Sequence, residues 1–351
     1  MSYTPRYTIS NQTLSLVAEI SEMIGKHQLR MEDPTPVLRR KNRIRTIQGS
    51  LAIEQNTLTL EQVTAVLNGK HVLAPTKDIL EVRNAFAAYD ELENYDPYSP
   101  KDLLKAHGIM MKHLMDFPGC FRETQVGVAD EKGQIIHYGT LPRYVPQVIG
   151  DLLNWVKQTD LHPLVRSCVF HFEFENIHPF ADGNGRIGRL WHTLLLSRWN
   201  GMFRYLPVES LVREHQNEYY RAINRSDIAN DSCAFIEFML EVILETLQKA
   251  AEEREDAGKN ETSFETSLKQ VLQPREWEKL YPIVRYVSEH GEITPQTAAQ
   301  ILGRSRTTAF RYLKVLVEKK IFERRGNTNQ AAYYLCSEWA QPATESTPDL
   351  L

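Results

Sequence analysis

Apolar positions recur at helical spacing over most of the chain. Leu14, Val17, Ile20 and Ile24 share one face across residues 10–30, and a second helical stretch is predicted over 37–68. MEDPTPVLRR (31–40) falls between them as a proline-interrupted turn. Ile79 to Leu92 is amphipathic, and DPYSP (96–100) breaks it. Ser99 then serves as N-cap, with Pro100 in the first turn of the next helix. FPGCFR (117–122) ends that helix. Further helices are predicted over 143–157, 163–176, 186–198, 214–225 and 231–255.

Two segments change the texture. QVGVADEKGQIIHYG (125–139) alternates over two short arms, with Glu-Lys-Gly at 131–133 between them, and reads as a hairpin. EEREDAGKNETSFETS (252–267) is charged and nearly free of large apolar residues, which is the pattern of a linker. Past Pro274 come a helix (276–289), a helix opening at Thr294-Pro295, the turn LGRSR, a helix from about Ser305 to Lys319, and two short strands, IFERRG and AAYYL. That order predicts a winged helix-turn-helix. The predicted layout is mainly α: a helical region over 1–100, a core over 101–255, a linker over 256–274, a winged-helix domain over 275–338 and a tail over 339–351.

Composition narrows this picture only a little. The chain has 351 residues, 42% hydrophobic and 25% charged, so wholesale disorder and coiled coil are excluded and about two domains are expected. Lys and Arg number 41 against 45 Asp and Glu, a formal charge of −4, so the chain is not a bulk nucleic-acid coat. The charge is uneven, however. Residues 273–340 carry eleven Lys and Arg against seven Glu, and Arg304, Arg306 and Arg311 gather at the start of the last helix. The segment 294–325 is therefore a candidate surface for duplex DNA, with protein docking as the competing reading. The basic run RRKNRIR (39–45) reads as a solvated helix face. No apolar stretch is long enough for a membrane span and MSYTPRYTIS lacks the features of a secretory signal, so a cytoplasmic protein is expected, with no membrane partner. Cys120, Cys168, Cys233 and Cys336 are dispersed and are expected to be buried free thiols rather than a metal or redox cluster.

The chemistry concentrates in His178-Pro179-Phe180-Ala181-Asp182-Gly183-Asn184-Gly185-Arg186-Ile187-Gly188-Arg189. The glycines satisfy GxGxxG, and VFHFEFE (169–175) could pass for a preceding strand. A dinucleotide fold needs its glycines directly after that strand, within a βαβ unit. Here seven residues, one of them proline, separate Glu175 from Gly183, and no second parallel strand follows. A phosphate-binding P-loop fails because no Gly-Lys-Ser/Thr follows. The residue types fit another reading. Two glycines around Asn184 let backbone N–H groups converge on an anion at a helix start. Arg186 and Arg189 lie three apart on one helix face and supply guanidinium forks for phosphate. Asp182 is a hard oxygen ligand suited to Mg²⁺, and His178 is a candidate general base.

HPFADGNGR, with Arg189 three residues on, resembles the motif of the Fic (filamentation induced by cAMP) family in every fixed position. The likeness covers about residues 35–245 and implies a protein adenylyltransferase, a nucleotidyltransferase also called an AMPylator. It would move AMP from ATP to a Tyr, Thr or Ser hydroxyl of a target protein or of itself. The resemblance implies His178 as the base and Asp182 as the ligand of Mg²⁺ carried with ATP. It assigns Gly183, Asn184, Gly185, Arg186, Ile187, Gly188 and Arg189 to the nucleotide, with Val126 and Tyr219 as further nucleotide contacts. The hairpin at 125–138 would dock the target's backbone. It also implies an inhibitory helix at about 44–56, where Ser50 and Glu54 match the family's Ser/Thr-x-x-x-Glu pattern and Gln55 replaces the usual Gly or Asn. Glu54 would occupy Arg189 and block the γ-phosphate. The class implied is the one with an N-terminal inhibitory helix and a C-terminal winged helix. The competing functions are a DNA-binding regulator whose Fic core senses nucleotide or modifies only itself, and an enzyme that removes AMP or transfers another phosphate-containing group. A homodimer is a further partner reading.

Overall fold

The computed structural model describes residues 3–28, 36–129, 135–326, 331–336 and 339. In chain order the elements are α1 (Asn11–Gln28), α2 (Pro36–Ile53), α3 (Leu60–Leu67), α4 (Thr76–Asp90), α5 (Pro100–Met110), β1 (Gly127–Ala129) and β2 (Ile135–Tyr138). They continue with α6 (Val145–Gln158), α7 (Pro163–Ile177), α8 (Asn184–Trp199), α9 (Val208–Glu214), α10 (Gln216–Ala229) and α11 (Cys233–Val271). Last come α12 (Pro274–His290), α13 (Pro295–Leu302), α14 (Arg306–Glu318), β3 (Phe322–Arg325) and β4 (Ala332–Leu335). The chain is mainly helical with two small antiparallel hairpins, as the hydrophobic pattern predicts. It divides into two units, Met1–Ala251 and Glu252–Leu351, and the division falls inside α11.

The first unit is organised around α7 and α8. Phenylalanine at every second position of 170–174 looks like a strand, yet the segment is a helix buried nearly all round. Phe170 and Phe174, one turn apart, join one apolar cluster with Val82, Tyr89, Leu103 and Trp191. Val169 and Phe172 join another with Ile20, Phe203, Tyr219 and Phe235. A helix that feeds two cores need not keep a single apolar stripe, and this explains the misleading period. α8 likewise gives Leu190 and Leu194 to the first cluster and Leu196 to the second. The loop 178–183 between these two helices carries the first half of the motif and is anchored in the first core by Phe180.

The stretch predicted as one helix over 37–68 is two. α2 stops at Ile53, Gln55 takes a left-handed φ of 66°, and Thr59 caps α3 in a reciprocal capping box with Gln62. α2 is itself core: Ile44, Ile47 and Leu51 are buried. It lies hard against α9, since a Cβ on Gly49 would sit 2.8 Å from the backbone of Glu209 and Ser210. Only glycine permits that approach. The basic run 39–45 lies along α2 and is largely occupied locally, with Arg40 donating to Asn68 and Arg39 lying 5.0 Å from the Tyr205 ring centroid. Of the four cysteines only Cys168 is buried; Cys120 is exposed and all four are free thiols. The expectation of uniformly buried thiols is corrected accordingly.

In the hairpin β1–β2, Gly127 pairs with Tyr138 and Val128 with His137, with a register shift before Ala129. The predicted turn at 131–133 lies outside the described residues, as do 31–35 and 340–351. The segment expected as a linker, 256–274, is helical as far as Val271. Its last turns are helical because they pack: Leu268 and Leu272 are buried in the core of the second unit, with Phe264 against it.

The second unit has its own core, built from Leu280, Ile283, Val284, Ala298, Leu313, Leu316 and Phe322. Its order is three helices and the antiparallel pair β3–β4, with Ile293 bridged to Tyr333. Thr294 and Ser305 cap α13 and α14 through their side chains. Among the described residues, no helix is long and apolar enough to cross a membrane.

Candidate active site

His178 ends α7 in the left-handed region, at φ 51° and ψ 62°. That conformation is uncommon for a side-chain-bearing residue and has to be held by its surroundings. Arg122 holds it. Its Nε donates to His178 O at 2.6 Å, Nη1 to Thr124 O at 2.8 Å, and Nη2 to Ile177 O at 3.3 Å and to Thr140 O. Its backbone N–H donates to Pro179 O at 3.0 Å. One buried guanidinium thus ties the motif loop to both ends of the β1–β2 segment, and burial lowers its pKa from the ordinary value. His178 Nδ1 lies 3.2 Å from Glu175 O. A carbonyl can only accept, so Nδ1 carries the hydrogen and the neutral ring has its basic lone pair on Nε2.

The rest of the loop is rigid. Phe180 stacks on His107 with ring centroids 3.7 Å apart and planes 6° apart. Asn184 Oδ1 accepts from Phe180 N at 2.8 Å, and its Nδ2 donates to Phe180 O at 2.9 Å. The Asn184 side chain therefore clamps the loop, and only its backbone N–H is placed to serve an anion. His107 donates from Nε2 to Asp182 O at 3.0 Å and accepts Gly119 N on Nδ1 at 2.8 Å. Accepting on Nδ1 requires the neutral ring, and burial pushes its pKa down to about 4. Gly183 caps α8 with φ 85°, so the first N–H groups of α8 lie at the end of the loop without intrahelical partners.

Asp182 is 56% exposed at its side chain. Its Oδ1 accepts from Gly183 N at 2.6 Å and from Arg186 Nη2 at 2.8 Å. Among the described residues, Oδ2 accepts nothing. No cluster of three or more His, Cys, Asp or Glu suited to a metal occurs among the described residues. One half-exposed carboxylate fits Mg²⁺ that arrives with phosphates, because this ion keeps most of its shell as water and phosphate oxygen.

Arg186 and Arg189 were expected to share a face and present two forks to phosphate. Both are buried, and they diverge. Arg186 Nη1 donates to Glu81 Oε1 at 3.1 Å while Nη2 serves Asp182, so both ends of its fork are occupied by carboxylates. Arg189 turns to α2: Nε donates to Ser50 Oγ at 3.1 Å, and Nη2 to Ser50 O at 3.0 Å and to Glu54 Oε1 at 2.8 Å. Burial alone would lower the Arg189 pKa, but the Glu54 carboxylate more than offsets it and holds the guanidinium firmly charged. Gly185 makes this pairing feasible, since a Cβ there would lie 2.4 Å from Glu54 Oε1. Glu175 lies behind the pair. Among the described residues its Oε1 is buried without a hydrogen-bond partner, 3.8 Å from His171 Nε2, and desolvation pushes its pKa up to about 8.

The remaining expected residues are placed as follows. Ile187 is in the core, and Gly188 faces Glu175, Phe174 and His171. Val126 is half-buried at the hairpin's base, where its carbonyl accepts Gly139 N at 3.2 Å. Tyr219 departs from expectation: it is 2% exposed, packs on Phe235 and Phe238, and lies with its hydroxyl 3.2 Å from His171 Nε2. Its neighbour Tyr220 is 49% exposed and lies within electrostatic reach of Glu54 and Arg189. Gln216 Nε2 links the Tyr220 hydroxyl at 3.4 Å to Ile53 O at 3.1 Å, next to Glu54.

The Fic/DOC family profile matches residues 97–196. A solved Fic family protein from Desulfovibrio desulfuricans G20 is 41% identical, with a TM-score of 0.71; the match covers 95% of this chain and 99% of that one. The chain belongs to the Fic family. Among curated relatives, Protein adenylyltransferase Fic of Nematostella vectensis is 30% identical over 207 residues, covering 55% of this chain and 45% of that protein. Protein adenylyltransferase fic-1 of Caenorhabditis elegans is 28% identical over 194 residues, covering 52% and 36%. The chain thus spans less than half the length of these curated Fic relatives.

Among the residues of this Fic site that sequence reading missed are Glu81 and Arg122. Arg122 leaves a faint signal, an arginine ending the aromatic turn FPGCFR. Glu81 leaves none, since one Glu on an amphipathic helix reads as a surface charge.

Proposed function

We propose that this chain transfers AMP from ATP to a Tyr, Thr or Ser hydroxyl of a protein, and that Glu54 restrains the reaction. The observation that carries the reading is the placement of His178. Its Nε2 lone pair stands at the head of a loop whose far end is the N-terminus of α8. A hydroxyl held between these points would give its proton to Nε2 as its oxygen bonds the α-phosphorus. The bond from that phosphorus to the bridging oxygen then breaks, and pyrophosphate leaves. The N–H groups at the start of α8 would bind phosphate oxygens. Mg²⁺, held by Asp182 and the phosphates, would supply neutralising charge. Arg189 is the cation for the γ-phosphate, and Glu54 now occupies it. The hairpin β1–β2 would receive target backbone as an added strand.

The deciding experiment is mass spectrometry of the Glu54→Gly chain incubated with Mg-ATP and native lysate. AMP on a hydroxyl is the expected product. A different adduct, or no adduct from a protein that binds ATP, would overturn the reading.

A second reading concerns the partner of the second unit, taken as a winged helix. Arg304, Arg306, Phe310, Arg311, Lys314 and Lys320 are exposed along and beside α14, while Ala309, Leu313 and Leu316 face the core. This supports α14 as a helix for the major groove of duplex DNA. Binding by the full chain should weaken steeply with salt, and Arg306→Ala and Arg311→Ala should each shallow that slope by about one unit. Absence of binding at low salt would instead leave a protein-docking role.

A further inference from the structure

Glu81 lies on α4, outside the motif and the inhibitory helix. It is 4% exposed, and its two oxygens are divided between the two halves of the site. Oε1 accepts from Arg186 Nη1 at 3.1 Å, and Oε2 accepts from Asn56 Nδ2 at 2.8 Å, two residues past Glu54. Lys77 lies 3.9 Å away and is 70% exposed, so it adds little. A buried ion pair of this kind is a poor source of stability, because well-packed apolar residues would serve as well. What the pair supplies is orientation.

Arg186 shows what is oriented. Its two terminal nitrogens bridge Glu81 and Asp182. An arginine anchored at one end by a buried carboxylate has a fixed position at the other end. Asp182 is half-exposed on a loop and would otherwise sample several rotamers. With Oδ1 engaged by Arg186 and Gly183, the carboxylate is left with Oδ2 as its one uncommitted oxygen among the described residues. We propose that Glu81 is a positioning residue: through Arg186 it fixes Asp182 so that Oδ2 meets the divalent cation carried by the nucleotide. Arg186 then serves the site by holding a metal ligand, not by gripping phosphate. The inference rests on the reading of Asp182 as the ligand of Mg-ATP.

The test is calorimetric binding of ATP to the full chain carrying Glu54→Gly, in saturating Mg²⁺ and in EDTA, with the melting temperature recorded. The ratio of the two affinities is the metal-linked gain. Glu81→Gln keeps the side chain's shape and an acceptor for Asn56 but removes its charge. It should cut the gain by about 10- to 100-fold, the range found when a partner that orients a metal ligand is lost, and leave affinity in EDTA nearly unchanged. A residue that only supports the fold would lower both affinities together. Arg186→Lys keeps the charge but cannot span two carboxylates, so it should reproduce the selective loss and serves if Glu81→Gln folds poorly. In an Asp182→Asn background, Glu81→Gln should have no further effect on the gain. A full gain in Glu81→Gln and Arg186→Lys would overturn the inference alone. No gain in the parent would overturn it together with the reading of Asp182.

Discussion

Glu54 Oε1 lies 2.8 Å from Arg189 Nη2, a contact between residues 135 apart in the chain. Ser50, one turn before Glu54 on α2, takes two further bonds from the same guanidinium. α2 cannot simply lift away to end this contact. Gly49 is pressed against α9, and Ile47 and Leu51 are core. Release therefore falls to the Glu54 side chain, which is 31% exposed at the edge of the pair.

Glu54→Gly should raise self-labelling with ATP carrying its label on the α-phosphate. A hydrogen bond between charged groups contributes about 1.5–3 kcal/mol. Freeing Arg189 from it corresponds to roughly ten- to a hundredfold in rate. Labelling equal to or below that of the parent would remove the restraining role of Glu54.

Gln55 stands at φ 66°, immediately after Glu54. A side chain in that region costs about 1–2 kcal/mol. Glycine relieves the strain but loses about 0.5–1 kcal/mol to its greater freedom in the unfolded chain. Gln55→Gly should therefore stabilise the protein slightly, by up to about 1 kcal/mol. Because it favours the turn that presents Glu54, it should also lower self-labelling. Urea unfolding and the labelling assay check the two effects, and a destabilised variant would contradict the turn's geometry.

The motif's chemistry was legible because it is local: base, carboxylate, glycines and arginines fall within the twelve residues from His178 to Arg189. Helices were legible where one face is apolar, as in α1 and α6. The failures share a cause, which is that the deciding contact is distant in sequence. Phe170, Phe172 and Phe174 alternate because α7 feeds two cores. The helix predicted over 37–68 breaks where Asn56 turns its amide to Glu81. Spacing places Arg186 and Arg189 on one face, but Glu81 and Glu54, more than a hundred residues upstream, pull them apart. Tyr219 and Tyr220 are adjacent, and only the packing of Phe235 decides which of them is buried.

His178→Ala should abolish transfer while sparing nucleotide binding. A positioned general base contributes about 10²- to 10⁴-fold, whereas the start of α8 and Arg189 remain in place to bind phosphates. ATP affinity measured by calorimetry should stay within a few-fold of the parent. Transfer that persists near the parental rate would take the role of base away from His178.

Glu175 supplies a prediction about pH. Desolvation is the main cause of its raised pKa; Arg189 opposes the shift and Glu54 adds to it, leaving about 8 in the folded protein against an ordinary carboxyl value of 4.5. Below pH 4.5 the carboxyl is protonated whether the chain is folded or not, so its contribution to stability is fully present. As pH rises, the unfolded chain loses this proton first, and the contribution falls until about pH 8, where the folded form ionises too. Glu175→Gln is neutral throughout and escapes the loss. The variant should therefore gain on the parent between pH 5 and 8, by at most about 1.4 kcal/mol per pH unit. Urea midpoints measured across that range decide it: parallel curves would mean that the Glu175 carboxyl ionises normally behind the Arg189–Glu54 pair, and a diverging pair of curves places a neutral acid there at physiological pH.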